Sequence, residues 1–225
     1  MPSLSPFGLT IDPARDVLWT AAASIAQRHG ATAKQRGRSA ILAYGLGNGS
    51  LRAFYRAPGE HAFNDLVLAP DGAVYVTDSQ GGVFRLRPGG AALEPFGDSR
   101  SLVSSQGIPI RADNRHALVA DYARGLQRLD LTSGAVLPVA APDRATTPGI
   151  DGLAPLADGS FVATRNPVGP MRIVRIHLAP DWSRVTGLVT VARATAGISD
   201  LSLIATGDRQ TIAVGVSQWA SLPLC

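Results

Sequence analysis

The chain has 225 residues, is 45% hydrophobic and 17% charged, and carries a formal charge of +4. That much apolar material supports one sizeable domain and excludes a disordered chain. No run approaches the roughly 18 apolar residues of a spanning helix. The positive charge is nearly all arginine, with Lys34 the single lysine; the arginines are scattered rather than interleaved with aromatics, so neither nucleic acid nor a membrane is expected as a partner.

Five stretches share one form, in which a small or acidic residue precedes an apolar run, a turn and an alternating run. They are PFG-LTIDPARDVLWTA, FND-LVLAPDGAVYVTD, SQG-IPIRADNRHALVAD, IDG-LAPLADGSFVATR and ISD-LSLIATGDRQTIAVG. Their first apolar positions, Leu9, Leu66, Ile108, Leu153 and Leu201, are separated by 57, 42, 45 and 48 residues. A period in the forties with about four short strands per unit is the signature of propeller blades. Pro70-Asp71-Gly72 and Ala157-Asp158-Gly159 are hairpin turns of the kind Asp-Gly favours, because glycine accepts positive φ.

Taken in order, the first unit places strands over 9–11, 17–21, 39–44 and 51–55, with a long polar insertion over 22–38. The second uses 66–69, 74–77, 83–87 and 92–96. The third uses 108–111, 117–120, 126–130 and 136–140. The fourth uses 153–156, 160–164, 172–178 and 185–191, and the fifth has 201–205 and 211–216. The expectation is a single all-β propeller domain over 1–225, with four-stranded antiparallel blades near 7–57, 63–98, 106–142, 151–193 and 199–225. Four full blades and about half of a fifth leave the ring open, so an N-terminally truncated form of a six-bladed protein is expected, as a monomer. MPSLSPFGLT lacks a basic stretch followed by an apolar one, so no secretory signal is read there. The single cysteine, Cys225, forms no intrachain disulfide and assigns no compartment.

In a propeller the tripeptides before the innermost strands converge on the axis. Asn64, Asp65, Gln106, Asp151, Ser199 and Asp200 are therefore expected to ring the channel mouth. Asp78, Asp121, Arg165, Asn166 and Gln218 or Trp219 are expected just above it. Asp65 and Asp200 read first as turn caps, and Asp78 and Asp121 first as residues that hold loop backbones. Trp19 and Trp182 read as packing between blades. Carboxylates and carboxamides suit a hard divalent cation, calcium first, with zinc left open. His29, His61, His116 and His177 show no paired ligand spacing. No G-x-S-x-G elbow, phosphate loop or nucleotide fingerprint is present.

The stretches NDLVLAPDGAVYVTDS, SQGIPIRADNRHALVADYARGLQRLDLTSG and GIDGLAPLADGSFVATRN resemble the gluconolactonase and regucalcin (senescence marker protein) family, over 5–219. The resemblance implies a six-bladed propeller with a divalent cation in its channel, hydrolysing sugar lactones or related esters. Relatives are often exported. In that family a glutamate from an early blade, the asparagine of an S-N-G motif and the aspartate of a D-G motif bind the metal. Carried over, the D-G aspartate is Asp151, the expected general base and a metal ligand. Gln106 stands where the S-N-G asparagine would be. Asn64 matches a substrate-contacting asparagine and joins Asp151 and Gln106 as a candidate metal ligand. Asp65, Arg165 and Asp121 are further candidate substrate contacts. Pro6-Phe7-Gly8 occupies the place of the early glutamate. The alternative is a propeller that binds a ligand or a protein without catalysis.

Overall fold

A computed structural model describes residues 4–25, 36–143, 145–167, 169–195, 198, 200–207 and 210–217. Strands β1 (Ser5–Asp12), β2 (Val17–Ala23), β3 (Ser39–Gly45) and β4 (Leu51–Arg56) form the first antiparallel sheet, in sequence order. The second holds β5 (Phe63–Leu68), β6 (Val74–Asp78), β7 (Val83–Leu86) and β8 (Glu94–Phe96). The third has β9 (His116–Asp121), β10 (Gly125–Asp130) and β11 (Val136–Pro138), and the fourth β12 (Ile150–Pro155), β13 (Phe161–Arg165), β14 (Arg172–Leu178) and β15 (Val185–Arg193). A fifth, partial sheet pairs β16 (Ile204–Thr206) with β17 (Thr211–Ala213). The chain is an all-β, partial propeller. Among the described residues no helix is long and apolar enough to cross a membrane.

The third sheet departs from the expected fourth strand for a local reason. Its inner segment, 105–111, contains Pro109, which lacks an N–H for a ladder. It nevertheless lies along β9, through Gln106 N–H to Ala120 O at 2.8 Å and Leu118 N–H to Pro109 O at 2.9 Å. In the first sheet β2 runs further than expected. Ala22 pairs with Ala40 and Ala23 with Ser39, so the insertion begins beyond Ala23, and most of it lies outside the described residues.

The apolar core lies between sheets. Ala21 and Ile41 of the first meet Phe63, Val74 and Phe84 of the second. Tyr75 and Val83 of the second meet Val119 and Leu129 of the third. Leu118 and Leu126 of the third meet Ile150, Phe161 and Val174 of the fourth. Trp19 and Trp182 pack against the edges of the first and last of these clusters.

Close approach of successive inner strands explains the glycine of the recurring tripeptides. A Cβ at Gly107 would lie 2.7 Å from Leu153 N, and one at Gly152 would lie 2.6 Å from Ile204 N. Gly8 meets Asp65 in the same way, at 2.7 Å from its Cα. Each glycine therefore sets the spacing of one blade to the next. Gly152→Ala is expected to destabilise the chain by about 1–3 kcal/mol, the cost of forcing volume into a filled site. A lowered thermal midpoint checks this; an unchanged one would mean that the fourth and fifth sheets are not held so closely.

Candidate functional site

Three inner strands break register at the same place. The irregularities fall between Pro6 and Leu9, between Phe63 and Leu66, and between Ile150 and Leu153. A bulge of this kind re-aims a side chain out of the pleat. The residues so displaced include Phe7, Asn64 and Asp151, and all three line one cavity of about 530 Å³. The backbone freed by each bulge is satisfied by a buried threonine of the next strand. Thr20 Oγ donates to Gly8 O at 3.1 Å, Asp65 N donates to Thr77 Oγ at 3.0 Å, and Gly152 N donates to Thr164 Oγ at 2.8 Å. These threonines recur in LWTA, VYVTD and FVATR, a repetition not used in reading the sequence.

The polar part of the cavity holds two hydrogen-bonded groups, one around Gln106 and one around Asn166. Asn64 Nδ2 donates to Gln106 Oε1. Gln106 Nε2 donates to Ser104 Oγ at 3.0 Å and reaches Ser79 Oγ at 3.4 Å. Asn166 Nδ2 donates to Asp151 Oδ2 at 3.0 Å and to Leu201 O at 2.7 Å, and Tyr122 donates its hydroxyl to Asn166 Oδ1 at 2.7 Å. Leu201 O can only accept, so it fixes which way the Asn166 amide points and makes Tyr122 the donor. Burial pushes the Asp151 carboxyl above the usual carboxylate range. The Ser202 and Asn166 hydrogen bonds oppose that, and the charge of Asp200 adds to it. Burial and the Asp151 charge likewise raise the Tyr122 phenol.

Of the expected contacts, Asn64, Gln106, Asp151, Asn166 and Asp200 line the cavity. The others are placed elsewhere. Arg165, one residue before Asn166, sends its guanidinium to Pro148 O at 3.2 and 3.3 Å. Asp121 is fully buried and accepts the backbone N–H groups of Val103, Ser104, Ala123 and Arg124 at 2.5–3.2 Å, so it holds loops. Asp78 does the same for Ala62 and Gln80 and pairs with His61 Nδ1 at 2.6 Å. Ser199, Gln218 and Trp219 lie outside the described residues.

Asp65 also turns away from the cavity. It accepts from Leu66 N at 2.9 Å, and its carboxyl takes a further backbone hydrogen bond from Ile108, tying the second sheet to the third. Burial raises it to about 6, against those two hydrogen bonds. The proton is bound more tightly folded than unfolded, so this contribution to stability is complete below about pH 3.8 and is lost as pH rises through about 6. Asp65→Asn is expected to flatten the fall in stability between pH 4 and 6.5. Urea unfolding across that range checks it, and an unchanged slope would refute it.

Of the three ligands that the resemblance implies for a cation, Asp151 is in the cavity, Gln106 stands for the asparagine, and the glutamate has no match. Among the described residues no three His, Cys, Asp or Glu side chains gather as a ligand set. Gln106 Oε1 is taken by Asn64, Asp151 Oδ2 by Asn166, and Phe7 stands where the early glutamate is implied. Asp151, Gln106 and Asn64 share a cavity, in which Asn64 and Gln106 bond to each other and Asp151 bonds to Asn166.

No protein-family model and no curated protein matches the chain. Solved structures do. A catalytically inactive virginiamycin B lyase from Staphylococcus aureus with quinupristin superposes with a TM-score of 0.67 at 14% identity, over 96% of this chain and 64% of the lyase. A chain of a nidogen/laminin complex gives 0.68 at 15%, over 95% and 73%. Hydrazine synthase of Kuenenia stuttgartiensis gives 0.67 at 15%, over 98% and 58%. The chain is a β-propeller. It spans less than two thirds of the lyase and of the hydrazine synthase chain, and likeness at this identity shows the fold alone. The gluconolactonase resemblance rests on the sequence motifs.

Proposed function

We propose that the cavity binds a small lactone or ester and that Asp151 hydrolyses it as a general base. The observation that carries this is a half-buried carboxylate in the cavity wall, oriented by Asn166 and Ser202, with its basicity raised by desolvation. Water attacks the carbonyl carbon and gives its proton to Asp151. The acyl carbon–oxygen bond of the ring or ester then breaks, and Asp151 returns the proton to the leaving oxygen. The second N–H of Asn64 and the hydroxyls of Ser79 and Ser104 are donors for the carbonyl oxygen as charge develops there.

No step in this scheme passes through a cation. Rates in calcium and in a chelator test that separately: equal rates are expected, and loss of turnover in chelator would restore the metal. A second reading, a non-catalytic binding platform, is favoured by the commitment of Asn64 and Gln106 to each other. Hydrolysis by the wild-type chain and by the Asp151→Asn variant separates the two, since a platform binds without turnover.

A further inference from the structure

The cavity has two unlike walls. The first sheet and the segment just beyond β2 contribute only Phe7 and Ile25, while Met171 and Leu203 add apolar surface beside Leu201 and Ser202. The inner segment beside β9 and the loops that flank it contribute only Ser104, Gln106 and Tyr122. The charged side chains in the lining are Asp151 and Asp200, and no Lys, Arg or His of the described residues joins them.

We propose that the preferred occupant is an uncharged lactone or ester with an apolar substituent, rather than a polyhydroxylated sugar lactone. The carbonyl end of this assignment rests on the hydrolase reading, whereas the apolar end does not. A sugar lactone carries hydroxyls around its whole ring. With its carbonyl on the Asp151 side, some of those hydroxyls face Phe7 and Ile25, where they lose water and gain no partner. An alkyl arm on the same ring fills that wall instead, by the ordinary hydrophobic effect. The volume agrees: about 530 Å³ lies within the roughly 300–1,000 Å³ of sites for drug-sized ligands. An anionic substituent is disfavoured by the two carboxylates. Phe7 is thus a specificity-determining residue at the place where the resemblance implied a metal-binding glutamate.

The test uses two δ-lactams, which keep the ring and carbonyl of a lactone but do not open in water. Calorimetry on the wild-type chain compares 6-pentyl-2-piperidone with D-glucono-δ-lactam. The pentyl lactam is expected to bind at least about tenfold more tightly, since even a single methylene in an apolar pocket is worth roughly that much. Phe7→Asn is expected to cut that preference about tenfold, and Leu203→Ser serves the same purpose should Phe7→Asn not fold. Equal or tighter binding of the sugar lactam, binding of neither lactam, or an unchanged preference in the folded variant would overturn the assignment. Hydrolysis of δ-decalactone and D-glucono-δ-lactone by the wild type is measured alongside. Pentyl-lactam preference without turnover of either lactone sinks the hydrolase reading and leaves this assignment standing. Faster turnover of the sugar lactone does the reverse.

Discussion

Replacing Asp151 by Asn is expected to lower lactone turnover by about 10²- to 10⁴-fold, the range that a positioned general base supplies. The substitution keeps the size of the side chain and an oxygen that can accept from Asn166 and Ser202, but removes the basic carboxylate. The fold should survive. Burial raises the Asp151 carboxyl, so the native protein holds this proton more tightly than the unfolded chain does. The favourable contribution is therefore complete at low pH and is lost as pH rises. A neutral amide escapes that loss, so the variant should be no less stable than wild type near pH 7. Initial rates by pH-stat, with thermal unfolding alongside, check both halves. A folded variant that retains its rate would remove Asp151 from the chemistry.

Asp121→Ala carries the largest expected cost in stability, about 3–5 kcal/mol. The carboxylate accepts from four backbone N–H groups, those of Val103, Ser104, Ala123 and Arg124, in a fully buried position. Alanine leaves those donors without their acceptor, and buried unsatisfied groups cost about 1–3 kcal/mol each, with partial relief where water enters. Against a total stability of roughly 5–15 kcal/mol this is a large share. Asp121→Asn keeps one acceptor oxygen and should recover part of the loss. Urea unfolding checks the order wild type, Asn, Ala. Full stability in the alanine variant would mean that the loops are held by other contacts, and Asp121 would again be open to a part in binding.

The blades were legible because their signals are local and repeated. Asp71-Gly72 and Asp158-Gly159 turn in the way their residue types require: Gly72 and Gly159 have φ of +87° and +82°, and each aspartate accepts the N–H two residues on. Asn64, Gln106 and Asp151 were legible as cavity residues because each holds the same place in its repeat. The remaining residues depended on contacts between blades, which one repeat does not encode. Asp65 stands one place on, where the later repeats have Gly107 and Gly152, and its carboxyl reaches the backbone of Ile108 in the next inner segment. Arg165 and Asn166 differ by one position at a strand end, and that step sends one to Pro148 and the other into the cavity. Thr20, Thr77 and Thr164 read as ordinary β-branched strand residues until the bulges they satisfy are seen. Phe7 showed in the sequence only as a missing glutamate, and the fold makes it a wall.

The most direct test of the central claim is a crystal structure of the Asp151→Asn chain with δ-decalactone bound. The lactone carbonyl carbon should lie beside residue 151, either within about 3–3.5 Å of its side chain or reached through one water. The pentyl arm should lie against Phe7. A lactone bound outside the cavity, or bound inside it with the carbonyl turned toward Phe7, would contradict the account.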